Sequence, residues 1–143
     1  MRCILVFRLG GPDVLEPMEI PDPQPGPGDL LVRSDAIGVN FIDNYFRTGA
    51  YPRMLPYVPG DEGSGLVEAV GADVPDFVPG DRVAWCGAPD SYAQMVVVPA
   101  AIAITVPDEV PAPQAASALA QGMTAHYLAY STYPVQSGDT VLV

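Results

Sequence analysis

The chain has only two cysteines, Cys3 and Cys86, far apart in sequence. No cysteine cluster can build a metal knuckle, and without secretory features the pair reads as free thiols of a reducing cytoplasm. Basic residues are scarce too: six Lys+Arg stand against seventeen Asp+Glu, a net charge of −11. Such a surface repels phosphate backbones and anionic headgroups, which argues against nucleic-acid and membrane-surface partners. No run approaches the ~20 apolar residues of a membrane span. The opening stretch MRCILVFRLGGPDVLEP alternates, carries Arg8 and lacks a small-residue cleavage site, so it reads as a first strand and not a signal peptide. Charged residues make up only 16% against 49% hydrophobic, a balance that excludes disorder and fits one folded domain with a real core.

What is abundant is punctuation. Seventeen prolines and fourteen glycines fall at intervals between apolar runs, as they do when many short strands are joined by turns. One signal recurs: Pro27-Gly28-Asp29, Pro79-Gly80-Asp81 and Ser137-Gly138-Asp139 each precede a strand-like run. Proline pre-sets the first central position of a type II turn, and glycine supplies the positive φ at the second. Pro59-Gly60-Asp61 shares the letters, but the EGSG that follows is too glycine-rich for a plain strand start.

The expected strands are Arg2 to Arg8, Leu15 to Ile20, Leu30 to Val39, Gly65 to Val70, Arg82 to Trp85, Ser91 to Val98 and Ile102 to Val106. A short helix is expected after Asn40, whose side chain can cap it, with Asp43 favourable in its first turn. Two more helices fit the alanine-rich tail, Ala112 to Leu119 and Met123 to Ser131, before an apolar strand over Thr140 to Val143. The expected class is mainly β with small helices, changing character at its C-terminal end.

From Asn40 to Pro52 the chain reads NFIDNYFRTGAYP. This stretch resembles the quinone oxidoreductase branch (zinc-free, zeta-crystallin-like) of the medium-chain dehydrogenase/reductase superfamily. PGDEGSGLVEAVG, VPGDRVAW, SYAQMVVVP and QGMTAHYL agree in order, so the likeness covers almost the whole chain. The resemblance implies a GroES-like barrel as the catalytic domain over residues 1–120. Residues 121–143 would then be a connecting helix and the first strand of a Rossmann domain whose glycine-rich phosphate loop would come next. On that reading the chain is a fragment of a longer protein.

Alcohol dehydrogenases of the superfamily hold a catalytic zinc through two Cys and a His. Aligned by motif, those positions are Asn40, Asp61 and, near the second Cys, Gln121. Glu62 remains beside them, and the four-cysteine structural loop is missing. Zinc wants about four N, S or O ligands, so the expectation is an enzyme without metal. A quinone or enone is electron-poor enough to be reduced with hydrogen-bond assistance alone. The resemblance makes Tyr45 and Tyr51 the catalytic donors to the developing oxyanion. It sets Asn40 and Thr124 at the nicotinamide end of NADPH, and Arg47 as substrate-binding at the rim of the pocket or else at a cofactor phosphate.

A purely structural reading stands beside each assignment. Asn40 can serve only as a helix cap, and either tyrosine can pack with its hydroxyl at the surface. Arg47 can be a structural partner, Thr124 can bond back to the preceding helical turn, and His126 can simply pack. Cys3 and Cys86 read as small apolar fillers. The function expected is NADPH-dependent reduction of a quinone or similar acceptor by a cytoplasmic enzyme, a homodimer at full length. An enoyl or alkenal reductase of the same superfamily and a non-catalytic GroES-like binding module are the alternatives.

Overall fold

The computed structural model describes residues 1–142. It is built around two β-sheets. Strands β1 (Arg2–Leu5) and β2 (Glu16–Glu19) make an antiparallel ribbon. Strands β3 (Asp29–Ile37), β4 (Glu62–Val70), β5 (Arg82–Cys86), β6 (Met95–Pro99) and β7 (Ala103–Thr105) form an antiparallel sheet in the order β6-β3-β4-β5-β7. Single bridges from Cys3 to Ala93 and from Val6 to Tyr57 join the ribbon to the larger body. Helix α1 (Phe41–Thr48) lies between β3 and β4, and α2 (Ala112–His126) follows β7. The mainly β expectation therefore holds, with one helix longer than expected.

The turn chemistry reads directly from the sequence. At each of the three Gly-Asp signals the Asp N–H donates to a carbonyl three residues back, at 3.1 Å: Asp29 to Gly26, Asp81 to Val78 and Asp139 to Gln136. Gly28, Gly80 and Gly138 sit at φ of 80°, 98° and 98°, the third position of a type II turn. The first two release the chain into β3 and β5. After the third, residues 140–142 join no strand, and Val143 lies outside the described residues. The strand expected over Thr140 to Val143 is thus not formed in its described part.

Two other expectations need correction. Strand β4 begins at Glu62, so EGSG is strand after all. The glycines are there because neighbours crowd them: a Cβ on Gly65 would run into the Arg33 carbonyl, and one on Gly63 would lie 2.6 Å from the Trp85 ring. The two tail helices are one. Gly122 weakens a helix interior by only about 1 kcal/mol against alanine, too little to break it. Residues 127–132 continue it as a π-helical turn.

Alternation builds the core. Leu30 and Val32 on β3, Val83 and Trp85 on β5, and Val96 and Val98 on β6 are buried two residues apart, all to one face of the sheet. Register shifts between β3 and β4, at Leu31/Val32 and at Ser34/Ala36, bend the sheet around that core. Buried Cys3 belongs to the cluster, the apolar filler expected of it, and burial pushes its thiol pKa up.

Trp85 is the largest buried side chain, and its indole N–H donates to Ser91 Oγ at 2.9 Å. Ser91 in turn donates to the Ala88 carbonyl at 2.8 Å. Ser91→Ala leaves the buried indole N–H unsatisfied and is expected to cost about 1–3 kcal/mol. Urea unfolding followed by the fluorescence of the single tryptophan measures it; an unchanged midpoint would mean that water satisfies the indole.

Candidate active site

Helix α1 begins at a carboxylate clamp. Asp43 Oδ2 accepts the Asn40 backbone N–H at 3.0 Å and the Tyr92 hydroxyl at 2.8 Å. Burial, and then the Asp43 bond, push the Tyr92 phenol far above its ordinary pKa. Asp43 thus does what was expected of it at the helix start. Asn40 joins it in a capping box, its side chain facing the N3 backbone while Asp43 faces the Asn40 backbone. Asn40 Nδ2 donates to Glu62 Oε1 at 2.8 Å, and Asn40 Oδ1 accepts from Gln121 Nε2 at 2.8 Å. Glu62, with 0% exposure, takes only the donor end of that amide, which a helix start does not use, so the two roles do not compete.

Glu62 gathers three elements. Its Oε1 also accepts from Gln121 Nε2 at 3.4 Å, and its Oε2 accepts the Ala120 backbone N–H of α2 at 3.0 Å. The cluster forms one wall of a cleft of about 960 Å³, where Asn40 and Gln121 meet Thr124, Ala120, Ala125 and Leu128. The two residues assigned to the nicotinamide end, Asn40 and Thr124, therefore share one cavity.

The two tyrosines do not line it. Tyr45 and Tyr51 lie 5.1 Å apart between ring centroids, with Phe41 edge-on to Tyr45 at 5.3 Å. They are 39% and 47% exposed and form an aromatic shelf on α1 and the turn after it. Tyr51 also lines a second hollow of about 460 Å³ with Leu9, Pro52 and Met54. Arg47 is far less available than a substrate-binding residue needs to be. It is nearly buried, with Nη1 donating to the Gly10 carbonyl and Nη2 to Asn44 Oδ1, both at 2.6 Å. Those bonds tie α1 to the loop after β1 and favour the structural reading of Arg47. His126 is exposed and stacks on Tyr130 at 4.8 Å, so packing is its visible role.

The donor set does not suit zinc. Asn40 and Gln121, expected at and near metal-ligand positions, are two amides that bond to each other, and burial raises the pKa of Asp61. Among the described residues no three His, Cys, Asp or Glu side chains converge. No helix among them is long and apolar enough to cross a membrane. The residues missed by motif reading are Tyr92 and the joining role of Glu62. The available signal for Glu62 was a lone acid in a run of small residues, EGSG, where a surface strand would carry more polar side chains.

Comparison with known proteins follows the same lines. The model of the family described as "Alcohol dehydrogenase GroES-like domain" matches residues 26–108. A quinone oxidoreductase of Pseudomonas aeruginosa is 43% identical over 143 residues, 99% of this chain and 44% of that protein. A 2-haloacrylate reductase of a Burkholderia species is 39% identical over 100% of this chain and 45% of its own length. A mycobacterial structure complexed with NADPH superposes at a TM-score of 0.92 with 49% identity, covering 97% of this chain and 44% of that one. The chain thus spans less than half the length of these relatives. It belongs to the alcohol dehydrogenase GroES-like domain family, and within it is similar to proteins named quinone oxidoreductases.

Proposed function

We propose that this chain is the substrate-side domain of an NADPH-dependent oxidoreductase that reduces quinones without zinc. The observation that carries the reading is the Asn40–Glu62–Gln121 cluster: two amides joined at one buried carboxylate wall a cleft with Thr124, and motif likeness sets them at or near positions where metal-dependent relatives keep thiolates. Residues 121–143 would lead into the cofactor half, and the full-length protein would be a cytoplasmic homodimer.

The cleft fits one end of a dinucleotide. Its polar wall is Asn40, Gln121 and Thr124, and Ala120, Ala125 and Leu128 give it apolar faces against which a flat ring can lie. These residues would hold the nicotinamide end. NADPH, when bound, supplies hydride to an electron-poor acceptor. The chain's own part is to exclude water along the alanine face and to offer hydrogen bonds where negative charge grows on the acceptor oxygen, the role assigned to Tyr45 and Tyr51. Arg47 has no part in it, being committed to Gly10 and Asn44.

A second reading has its own support. The Burkholderia relative is named for an activated alkene, so an alkenal or enoyl-type acceptor is the rival substrate class. Metal analysis of the purified full-length protein, with assays on a quinone and an enone, tests both. The expected result is turnover with less than stoichiometric zinc and unchanged by chelators. About one zinc per chain, lost together with activity on chelation, would defeat the proposal.

A further inference from the structure

We infer that Glu62 is a positioning residue that dictates which hydrogen-bonding groups Asn40 and Gln121 turn to the cleft; the inference rests on the proposed cofactor site. A carboxylate buried at 0% exposure is costly unless paired or fully hydrogen-bonded. Among the described residues no ion pair reaches Glu62; every group bonded to its carboxylate is an amide N–H. The fold makes room for it at one place. Any Cβ on Gly38, at the end of β3, would collide with the Glu62 carboxyl.

The consequence is a fixed polarity. A carboxylate only accepts, so the Asn40 amide must present Nδ2 to Glu62 and therefore Oδ1 to Gln121. Gln121 must then spend Nε2 on Asn40 and Glu62. What remains unspent is the Gln121 Oε1 acceptor and one N–H of Asn40. A donor and an acceptor on neighbouring side chains suit a ligand group that carries both, such as a carboxamide on a flat ring. With a neutral group at position 62 both amides are free to flip, and the pattern is lost although shape and packing remain. Oε2, holding the Ala120 N–H, fixes α2 in register with that wall.

Two variants test it in the full-length protein. Glu62→Gln keeps the shape and removes the acceptor-only face, while Gly38→Ala displaces the same carboxylate without altering it. Both are expected to weaken NADPH binding by about tenfold or more, as loss of an orienting partner behind a binding group does. Affinity for adenosine 2′,5′-bisphosphate, which lacks the nicotinamide end, should stay within about twofold, a change of under ~0.5 kcal/mol. The side-chain amide NMR signals of Asn40 and Gln121, which need no cofactor, should shift in Glu62→Gln. Unmoved amide signals, or unchanged NADPH affinity in both variants, overturn the inference. Equal loss of the bisphosphate, or a red-shifted Trp85 emission in both variants, makes Glu62 a folding residue and overturns it too. Signals that shift in Glu62→Gln, alongside a wild-type protein that neither binds NADPH nor reduces a quinone, would defeat the enzyme reading while supporting the positioning role.

Discussion

Purified alone, this 143-residue chain is expected to show no NADPH-dependent quinone reduction above a boiled control. The argument concerns binding energy. A dinucleotide is held in large part by its phosphates, at a glycine-rich turn and a helix N-terminus. Energy from those remote groups is what fixes the reacting ring in place. Among the described residues no glycine-rich strand–turn–helix unit exists: the single Gly38 between β3 and α1 is packed on Glu62, and the helix that follows β7 starts at Pro111-Ala112-Pro113, which offers few free N–H groups. On the proposed reading, Asn40, Gln121 and Thr124 meet only one end of the cofactor. The net charge of −11 further disfavours a polyanion that finds no dedicated site. Steady NADPH oxidation by the isolated chain, or NADPH binding at micromolar affinity by calorimetry, would overturn the division of labour proposed here. The full-length protein, assayed in parallel, supplies the positive control.

Local chemistry was legible in the sequence, and long-range contact was not. The type II turns at Gly28, Gly80 and Gly138 follow from residue type alone, because positive φ and a preceding proline or serine need no tertiary partner. So does most of the strand pattern. EGSG was misread because propensity sees glycine as a breaker, whereas the structure uses Gly63 and Gly65 to let Trp85 and β3 come close. Asn40 is the sharper case. Its position at the helix start predicts the cap it forms with Asp43, but nothing local shows that Glu62, 22 residues further on, also takes its amide N–H. Arg47 shows the same limit, since its acceptor at Gly10 lies 37 residues away. Family likeness could point to Asn40 and Gln121 as aligned positions, but only the fold shows that they bond to each other and to one buried acid.

Removing a single hydroxyl from the aromatic shelf should be the most informative substitution in the full-length enzyme. Tyr45→Phe or Tyr51→Phe is expected to lower kcat for quinone reduction by up to about 10²–10³, the size associated with one lost oxyanion donor. Folding should be almost untouched, because both rings are partly exposed and phenylalanine keeps their edge and tilted contacts. The two rings lie 5.1 Å apart, and the Tyr51 N–H donates to the Tyr45 carbonyl at 3.0 Å, so the turn fixes one ring relative to the other. Side chains held that way act as a unit, and the double variant should lose less than the product of the single losses. A donor that acts only as charge develops lowers kcat and kcat/KM together, whereas a ring that merely stacks on bound quinone raises KM alone. If both single variants keep wild-type kcat, the hydroxyls are not the donors. The shelf would then be a stacking surface for the acceptor, and the oxyanion partner must be sought on the Asn40 side of the site.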